Sequence, residues 1–374
     1  MRAAVVGGGI TGLFAAYYLR KEGADVTLFD DKDPGALSVH AAGIIEPTTA
    51  YRTNTVAFLR RVWRYWKCGT CTFRRADGNW LFESLRNLER DPWAGSEETL
   101  LRMGRASLAT YEELAGRNDD FAYRKGGLIE RFDDPAHFAE EKADAVSKRA
   151  VTPVEVRETD PGAGSLFFPE VAWLHTERFV ERMLRELTGT HVVRQRVSAV
   201  GTDGTVSTSS GGARFDAVAV CTGVTSRKLG LPLTGVRGYG WHIRSRSKVE
   251  VATIHVDRGI ALVPFADELK VTGGWDFDLS NGLAHARSVF DAVRQVVEVD
   301  QVLDSKDGSR PCTPDGLPTV GRKGALVVAN GGFRLGWSFA PALGQEAARL
   351  CLGKAENDPF LARFCGSLRS GAFA

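Results

Sequence analysis

Sulfur is scarce in this chain of 374 residues, which contains 6 cysteines and 3 methionines. So few cysteines over this length argue against a disulfide scaffold and fit a protein that stays in a reducing cytoplasm. Methionine, asparagine and glutamine are thermolabile, and their low numbers suggest a thermophilic source. The sequence therefore predicts a cytoplasmic protein that is held together by its hydrophobic core.

Long apolar runs and an excess of one charge are also missing. No apolar stretch reaches the roughly 18 residues that a membrane-spanning helix needs. The net charge is +2 with 25% charged residues, which gives no drive toward nucleic acid. The chain begins with an apolar strand pattern and a glycine loop, so we expect no signal peptide. Its 43% hydrophobic content is enough for two domains.

The first thirty residues carry three spaced glycines between two apolar strands. Gly7, Gly9 and Gly12 follow the first strand, a helix comes next, and the second strand ends at Asp30. In a dinucleotide-binding unit, such glycines permit a tight turn, close approach of a pyrophosphate and packing of the helix on the sheet. Asp30 stands where a carboxylate accepts hydrogen bonds from ribose hydroxyls. The pattern predicts a dinucleotide site but does not distinguish FAD from NAD.

Residues 56–67 predict an amphipathic helix. Its apolar face contains Leu59, Val62, Trp63 and Trp66, and its basic face contains Arg60, Arg61, Arg64 and Lys67. Such a helix can lie on a membrane surface or on a partner subunit. Alternatively, it covers a substrate domain and leaves its arginines in solvent. The sequence alone leaves both interpretations open.

Segments typical of a nucleotide-binding fold occur at both ends of the chain. Residues 191–223 predict strands joined by glycine turns, and residues 325–353 predict a buried strand, a glycine-rich turn and a helix. The material between them is rich in strands. This order predicts a discontinuous nucleotide-binding domain made of residues 1–50, 150–238 and 306–374. The substrate domain would then consist of residues 51–149 and 239–305.

Four blocks of the sequence resemble the D-amino-acid oxidase superfamily, especially its glycine oxidase and its sarcosine and proline dehydrogenase branch. They are the N-terminal fingerprint, "SVHAAGII" (38–45), "FDAVAVCTGVTSRKLGLPLTGVRG" (215–238), and the pair "SRPCTPDGLPTVGR" (309–322) and "LVVANGGFRLGWSFAPALGQEAARL" (326–350). The resemblance spans nearly the whole chain, most loosely over 48–150, and implies FAD as the cofactor. It also implies an α/β fold, with a Rossmann-like FAD domain and a second α+β domain of mixed sheet and helices.

The resemblance implies a set of cofactor-binding residues. Gly7, Gly9 and Gly12 would hold the pyrophosphate, Asp30 the ribose and the backbone of Val197 the adenine, while Thr222 and Gly223 would end a strand beneath the cofactor. Ser38 and His40 belong to the loop expected to cross the flavin. The turn formed by Gly332, Phe333, Arg334, Leu335 and Gly336 would surround the pyrimidine side of the flavin. The helix after this turn would point its positive end at the same edge.

His40 has two interpretations. "SVHAAGII" is similar to a stretch of dimethylglycine and sarcosine dehydrogenases in which a histidine carries the flavin covalently. The interpretation that we favour is a neutral ring that packs near the dimethylbenzene edge without a covalent bond. Cys312 directly precedes Thr313, too close for the cysteine attachment known in this superfamily, and is expected to be unattached.

Two arginines are candidates for binding a substrate carboxylate. Arg310 matches the position of the carboxylate-binding arginine of amino-acid-oxidising relatives, and Arg334 lies in the turn nearest the flavin. A planar guanidinium can donate two parallel hydrogen bonds to a carboxylate. For either arginine, the alternative is a structural ion pair.

The predicted cavity is more apolar than that of glycine oxidases. Ala261 and Phe265 replace polar residues of those relatives, and Trp275 stands where they have a small residue. Tyr239 lines the same cavity or belongs to the core. These residues favour proline or a hydrophobic amino acid over glycine as the substrate.

Cys68 and Cys71 form an isolated Cys-x-x-Cys motif. Its spacing suits a redox pair, half of a zinc site or a local disulfide. No second cysteine pair and no suitably spaced histidines follow, so we predict no metal site and interpret the motif as a stabilising or incidental pair.

The resemblance implies a flavoenzyme that dehydrogenates an amino acid or a secondary amine, with a D-amino acid such as D-proline favoured. Hydride would pass to flavin N5, leaving an imino acid, and a quinone, a dye or O2 would accept the electrons. One alternative is the oxidation of a 2-hydroxy acid, since a carboxylate-binding arginine serves both substrates. The other is a flavin-bearing electron-transfer subunit of a larger complex, with the 56–67 helix as its exposed apolar face. The protein is expected in the cytoplasm, with association at the inner face of the membrane as the alternative.

Overall fold

The fold combines helices with several β-sheets, and a computed structural model describes it for residues 1–48, 52–90, 96–158, 162–279 and 285–373. The strands are, in chain order, β1 (Arg2–Val6), β2 (Asp25–Asp30), β3 (Ile44–Ile45), β4 (Cys71–Arg75), β5 (Leu128–Phe132), β6 (Glu155–Arg157), β7 (Gly164–Phe168), β8 (Ala172–Trp173), β9 (His191–Arg194), β10 (Val197–Val200), β11 (Thr205–Thr208), β12 (Gly211–Arg214), β13 (Ala217–Val220), β14 (Thr234–Ser245), β15 (Ala252–His255), β16 (Ile260–Pro264), β17 (Leu269–Asp278), β18 (Val299–Cys312), β19 (Thr319–Lys323), β20 (Leu326–Asn330) and β21 (Gly371–Ala372). The helices are α1 (Ile10–Lys21), α2 (Val56–Lys67), α3 (Gly78–Arg86), α4 (Ser96–Arg117), α5 (Pro135–Ser147), α6 (Thr176–Glu186), α7 (Ala286–Val293) and α8 (Gly336–Cys351).

A six-stranded sheet forms the first layer, in the order β19-β20-β13-β1-β2-β9. All neighbours are parallel except β19 and β20. Strands β1, β13 and β20 are almost continuously apolar and buried, because both faces of this sheet are covered. Alternate residues of β1 face different clusters: Ala3 and Val5 pack with α1 and α8, whereas Ala4 and Val6 pack with residues of β10 and β11.

Helices α1 and α8 cross closely on one face of this sheet. A Cβ on Gly344 would lie 2.5 Å from Phe14 Cβ, so only glycine allows this approach. The contact brings the N-terminal ends of both helices to the same edge of the sheet, next to the glycine turn after β1. The fold thereby aims two helix termini, each with free N–H groups, at one region.

A larger sheet forms the second layer, in the order β18-β14-β17-β16-β15-β5-β7-β6, with β4 beside β17. Its long strands β14 and β18 pair antiparallel along nearly their whole length. Strand β17 is buried at every residue, because one face packs against α7 and the other faces the first layer. The predicted mixed α/β fold is therefore confirmed.

The six-stranded sheet takes its strands from residues 2–30, 191–220 and 319–330. These ranges lie within the segments predicted for the nucleotide-binding domain. The boundaries of the two domains themselves stay a prediction.

The helix predicted over 56–67 is confirmed as α2, but its packing differs from the expectation. It buries Phe58, Val62 and Tyr65, while Leu59, Trp63 and Trp66 are exposed. The arginines are not all in solvent either, since Arg61 Nη2 lies 2.5 Å from Glu141 of α5. None of the helices among the described residues has both the length and the apolar character needed to cross a bilayer.

Candidate active site

A cavity of about 860 Å³ lies between the two layers. Its walls come from the turn after β1, the loop 30–44, the end of β13, the facing strands β14, β17 and β18, and the turn between β20 and α8. Fourteen of the seventeen predicted site residues line it: Gly7, Gly9, Asp30, Ser38, His40, Val197, Thr222, Gly223, Trp275, Arg310, Gly332, Phe333, Arg334 and Gly336. Segments that are distant in sequence thus meet at one cavity.

The remaining three predicted residues lie outside the lining. A Cβ on Gly12 would fall 1.9 Å from Gly7 O, so Gly12 closes the turn against α1 and does not face the cavity. Tyr239 is buried, and its hydroxyl donates to Asp276 Oδ2 at 2.6 Å. Leu335 is also buried, and its N–H donates to Gly332 O. The structure thus places these three residues beside the cavity and not in its lining, and their contact with a ligand stays a prediction.

The turn after β1 is built from backbone with no room for side chains. Gly7 has a φ of +97°, and a Cβ there would lie 2.6 Å from Cys221 O. Gly9 caps α1, and the N–H of Ile10 donates to Ser38 Oγ at 2.8 Å. This cradle, which any side chain would fill, fits a pyrophosphate at a helix N-terminus.

Asp30 ends β2 beside this cradle. Its Oδ2 accepts from Gly8 N–H at 2.6 Å and its Oδ1 from Lys32 N–H at 2.9 Å. Burial raises the pKa of Asp30, although these two hydrogen bonds oppose the shift. Because each carboxylate oxygen has a second lone pair, the geometry leaves Asp30 able to accept from a ribose. That contact stays a prediction.

The loop that carries His40 lies against two glycines of the second layer. A Cβ on Gly308 would fall 2.7 Å from His40 Cδ2, and one on Gly240 would fall 3.0 Å from His40 O. Among the described residues, the buried Nδ1 of His40 has no hydrogen-bond partner. Burial lowers the pKa of His40 to about 4, so the ring is neutral near pH 7. The choice between a covalent and a free His40 stays open as a prediction.

A buried lysine supports this loop from behind. Lys270 Nζ donates to Val39 O at 2.7 Å, to Thr176 Oγ1 at 2.5 Å and to Glu177 Oε2 at 3.0 Å. Burial opposes ionisation of Glu177, but hydrogen bonds from His175, His242 and Lys270 hold its pKa far below the usual range. The loop is thus held by a charged network that the sequence analysis did not predict.

At the opposite end of the cavity, two arginines flank one tryptophan. The guanidinium carbons of Arg310 and Arg334 lie 5.9 Å and 5.3 Å from the centre of the Trp275 ring. Arg310 Nη1 donates to Gly274 O at 2.8 Å, and a Cβ on Gly238 would collide with its Nη2. Burial, together with Arg334, lowers the pKa of Arg310 to about 10. Both guanidinium groups line the cavity, and their planar shape suits a carboxylate.

Aromatic rings complete this end of the cavity. Phe333 and Tyr65 contact Trp275, with ring centres 5.5 Å and 4.9 Å away. Phe333 has a φ of +41°, a left-handed conformation that costs energy for a bulky residue. Such strain is found where a loop must present a side chain to a ligand. Ala261 lines the cavity as expected, whereas Phe265 packs on the His175 ring instead.

Two buried carboxylates near the arginines were not among the predicted site residues. Glu46 is 5% exposed and lines the cavity, and Ser338 Oγ of α8 accepts from its backbone N–H at 2.9 Å. Glu130 of β5 is also buried, and its burial, with Glu46 nearby, raises its pKa to about 7. Glu46 follows the small residues 41–43 and the two isoleucines of β3, and this change from small and apolar residues to a carboxylate was the available signal.

The Cys-x-x-Cys motif was interpreted as a stabilising or incidental pair, and the structure fits an incidental one. Cys68 and Cys71 are both free thiols, the first exposed and the second buried. Cys312 is buried outside the cavity lining, and its Sγ donates to Thr313 O at 3.3 Å.

Comparisons with known proteins agree with this geometry. Residues 2–350 match the family described as FAD dependent oxidoreductase. The chain is 38% identical to a D-proline dehydrogenase of Pyrobaculum islandicum, over 97% of this chain and 99% of that one. It is 25% identical to a D-amino acid dehydrogenase of Neisseria gonorrhoeae, over 95% of this chain and 96% of that one. Among solved structures, a glycine oxidase of Geobacillus kaustophilus has the same fold, with a TM-score of 0.70, 19% identity and 96% of each chain covered.

Proposed function

Because the chain belongs to the family of FAD-dependent oxidoreductases, we propose that it dehydrogenates an amino acid with a secondary or primary amine, with D-proline as the preferred substrate. The 38% identity to a D-proline dehydrogenase along the whole chain supports this choice. The observation that carries the proposal is the pair Arg310 and Arg334 beside Trp275, at the end of the cavity away from the glycine cradle.

The cradle fits FAD. Gly7 and Gly9 leave space for its pyrophosphate, and the N-terminal ends of α1 and α8 supply N–H groups and positive dipole ends to its anionic parts. When bound, FAD accepts a hydride from the carbon that bears the amine. The neutral His40 and the small residues beside it leave room for a flat ring system along the loop.

The protein's own part in the reaction is to bind and orient the substrate. Arg310 and Arg334 bind its carboxylate, which fixes the α-carbon relative to the cavity wall. Trp275 and Phe333 offer flat apolar surfaces that suit a pyrrolidine ring. Glu46 reaches the same cavity, and we expect its carboxylate to accept a hydrogen bond from the substrate amine and to take up its proton.

Glu46 also separates the two candidate substrates. A buried carboxylate pairs with a substrate ammonium through a hydrogen bond between opposite charges, whereas a 2-hydroxy acid brings only a neutral hydroxyl to it. The 2-hydroxy acid therefore remains the second candidate. An electron-transfer subunit would bind FAD but would show little flavin reduction by any of these compounds.

The location and the electron acceptor are part of the proposal. All six cysteines are free thiols, which supports a reducing compartment such as the cytoplasm. We propose a quinone or a dye-like compound as the acceptor, with O2 as the alternative. The thermophilic source indicated by the composition also stays a proposal.

The test is anaerobic reduction of the bound flavin, followed by its absorbance, with D-proline, L-proline, glycine, sarcosine and D-lactate in turn. We expect D-proline to reduce the flavin fastest, and readmission of air then separates an oxidase from a dehydrogenase. Reduction by D-lactate alone would contradict the amine substrate. Failure of every compound would contradict the proposed reaction as a whole.

A further inference from the structure

Two histidines and a glutamate meet at one point outside the lining of the cavity. They are His175, directly before α6, His242 of β14, and Glu268 in the turn between β16 and β17. One ligand atom of each lies within 4.8 Å of the ligand atoms of the other two, and we call this set the His-His-Glu cluster. Glu268 is 93 residues from His175 and 26 from His242, so the sequence spacing, which predicted no metal site, could not indicate this meeting.

Both histidines face the same oxygen of Glu268. His175 Nε2 lies 3.1 Å from Glu268 Oε1, and His242 Nδ1 lies 2.8 Å from it. In a tetrahedral zinc site with bonds of about 2.0–2.2 Å, the ligand atoms are roughly 3.3 Å apart. Shifts of about half an ångström or less bring these nitrogen–oxygen distances to that value, and a fourth position is left for water.

The contacts on the far side of each ring determine which nitrogen carries the proton. His242 Nε2 lies 3.0 Å from Glu177 Oε1, and His175 Nδ1 lies 3.3 Å from Glu177 Oε2. A longer contact of 3.5 Å joins His175 Nδ1 to the N–H of Arg178. An ionised carboxylate only accepts hydrogen bonds, so the nearer contact places the proton of each neutral ring on the nitrogen that faces Glu177.

The opposite nitrogens of the two rings then present lone pairs to Glu268. Its Oε1 is also an acceptor, so three lone pairs converge on one place. A divalent cation there converts their repulsion into three bonds. A histidine that binds a metal ion usually donates its other N–H to a carboxylate, and Glu177 provides this partner for both rings.

A second proton on each ring would also satisfy Glu268. Two such protons bring the same charge as one divalent cation, so the exchange of one for the other leaves the charge of the cluster unchanged. The two occupants differ in what they require. Protons need only the hydrogen-bond distances, whereas a metal ion also needs an entry path and a matching set of ligands.

The surroundings of the cluster meet both of these requirements. His175 and His242 are each 8% exposed, and the centre of the Phe265 ring lies 4.8 Å from that of His175. The side chain of Glu268 is 22% exposed, so an ion can enter from solvent along it. Imidazole ligands suit zinc and similar transition metals, whereas Mg²⁺ and Ca²⁺ prefer oxygen ligands alone.

We propose that the His-His-Glu cluster binds one divalent transition-metal ion, with zinc as the expected ion. Its ligands are His175 Nε2, His242 Nδ1 and Glu268 Oε1. The ion connects the start of α6, strand β14 and the turn before β17, three elements that are separate in sequence. Because the cluster lies outside the cavity lining, the site has a structural role and no part in hydride transfer.

Glu177 links this site to the cavity. Its carboxylate faces both histidines and accepts from Lys270, whose ammonium also donates to Val39 O in the loop of His40. A bound ion keeps the N–H groups of both rings directed at Glu177 and thereby holds this carboxylate in place. We therefore expect zinc to raise the thermal stability of the flavoprotein without changing its substrate.

Equilibrium dialysis of the purified flavoprotein against ZnCl2, after treatment with a chelator, tests this inference without any turnover. We expect one tightly bound zinc ion per chain of wild type. E268Q keeps the shape of the side chain but removes a charged ligand, and it should bind zinc on the order of 100-fold or more weakly. H242Q should weaken binding at least as much. The matched control H191Q removes an exposed histidine of β9 and should bind zinc like the wild type.

Thermal unfolding provides a second readout. A saturating concentration of ZnCl2 should raise the midpoint of the wild type and of H191Q by a few degrees and leave that of E268Q unchanged. MgCl2 at the same concentration should have no effect on any of them, because two of the three ligands are imidazoles.

Two results would overturn the inference. A wild type that binds no zinc would mean that protons alone hold the cluster together. If E268Q and H242Q bound zinc as tightly as the wild type, the ion would lie elsewhere in the protein. If H242Q does not fold, E268Q decides alone, because Glu268 lies in a partly exposed turn.

Discussion

The two ends of the cavity are built in different ways. At the cradle, the wall is backbone: an added Cβ on Gly7 would lie 2.6 Å from Cys221 O, and one on Gly12, which packs behind the turn, would lie 1.9 Å from Gly7 O. At the opposite end, the wall consists of long side chains, Arg310, Arg334 and Trp275. A backbone wall accepts no added atom, whereas a side-chain wall can change its charge and shape without altering the main chain. Cofactor binding and substrate choice should therefore be separable by mutation.

The largest expected effect lies at the backbone end. In G12V, the new side chain would collide with Gly7 O and push α1 away from the turn, so we expect a protein without bound flavin. The flavin-to-protein absorbance ratio of the purified variant measures this. Gly116 of α4 has open space around it, and G116A should keep its flavin and gain about 0.5–1 kcal/mol of stability. A G12V variant that is purified with its full content of bound flavin would show that the cradle is not a rigid backbone wall.

The next effect tests the loop that lies between the two ends. K270M removes one ammonium from the half-buried carboxylate of Glu177, which keeps Lys306 Nζ at 3.4 Å, and it removes the donor to Val39 O. We expect the free energy of unfolding to fall by about 3 kcal/mol, the lower end for a broken buried ion pair, measured by urea denaturation, together with weaker flavin retention. The double variant E177Q/K270M removes both charges and should recover part of the loss. An unchanged K270M would mean that the network does not support the loop.

The side-chain end should lose activity and keep its flavin. R310L removes one of two donors to the proposed substrate carboxylate and should lower kcat/KM for D-proline about a hundred- to a thousand-fold. R310K retains the charge without the planar geometry and should give an intermediate value. Steady-state kinetics with a soluble dye measures both, with flavin content as the control. Equal kcat/KM values for R310L and the wild type would remove Arg310 from the site.

The smallest expected effect concerns the stability cost of the buried carboxylates. The pKa of Glu130 is raised from 4.5 to about 7 by burial, so the folded protein keeps a proton that the unfolded chain has released between these values. The free energy of unfolding should therefore fall as the pH rises through this window, by no more than about 3 kcal/mol. E130Q lacks this titration. The free energies of unfolding of the wild type and of E130Q are therefore compared by urea denaturation at about pH 5 and at about pH 8. A difference that does not change with pH would contradict a raised pKa.

The cradle could be predicted because its residues lie close together in the sequence. The spacing of Gly7, Gly9 and Gly12 and the acid at Asp30 lie within thirty residues, and each glycine has a steric reason that the sequence alone reveals. The positions of Arg310 and Arg334 were predicted through family resemblance, since nothing in their own segments brings them to Trp275.

Glu46 and Lys270 could not be predicted, because their positions depend on distant partners. Glu46 is held by Ser338, which is 292 residues away, and Lys270 by Val39 and Glu177, which are 231 and 93 residues away. The orientation of α2 was ambiguous for another reason. Its sequence carries two apolar stripes, Phe58-Val62-Tyr65 and Leu59-Trp63-Trp66, and helical periodicity does not decide which of them packs inside.

The most direct test of the side-chain end compares D-proline with pyrrolidine, which has the same ring and amine but no carboxylate. The measurement is the rate of anaerobic flavin reduction by each compound in the wild type, R310L and R334L. We predict a strong preference of the wild type for D-proline that shrinks on the order of a hundred-fold in R310L, because only D-proline loses a partner. If both compounds slowed equally in R310L, or if the wild type reduced its flavin equally fast with either, the arginines would not bind the carboxylate and the account of the active site would be wrong.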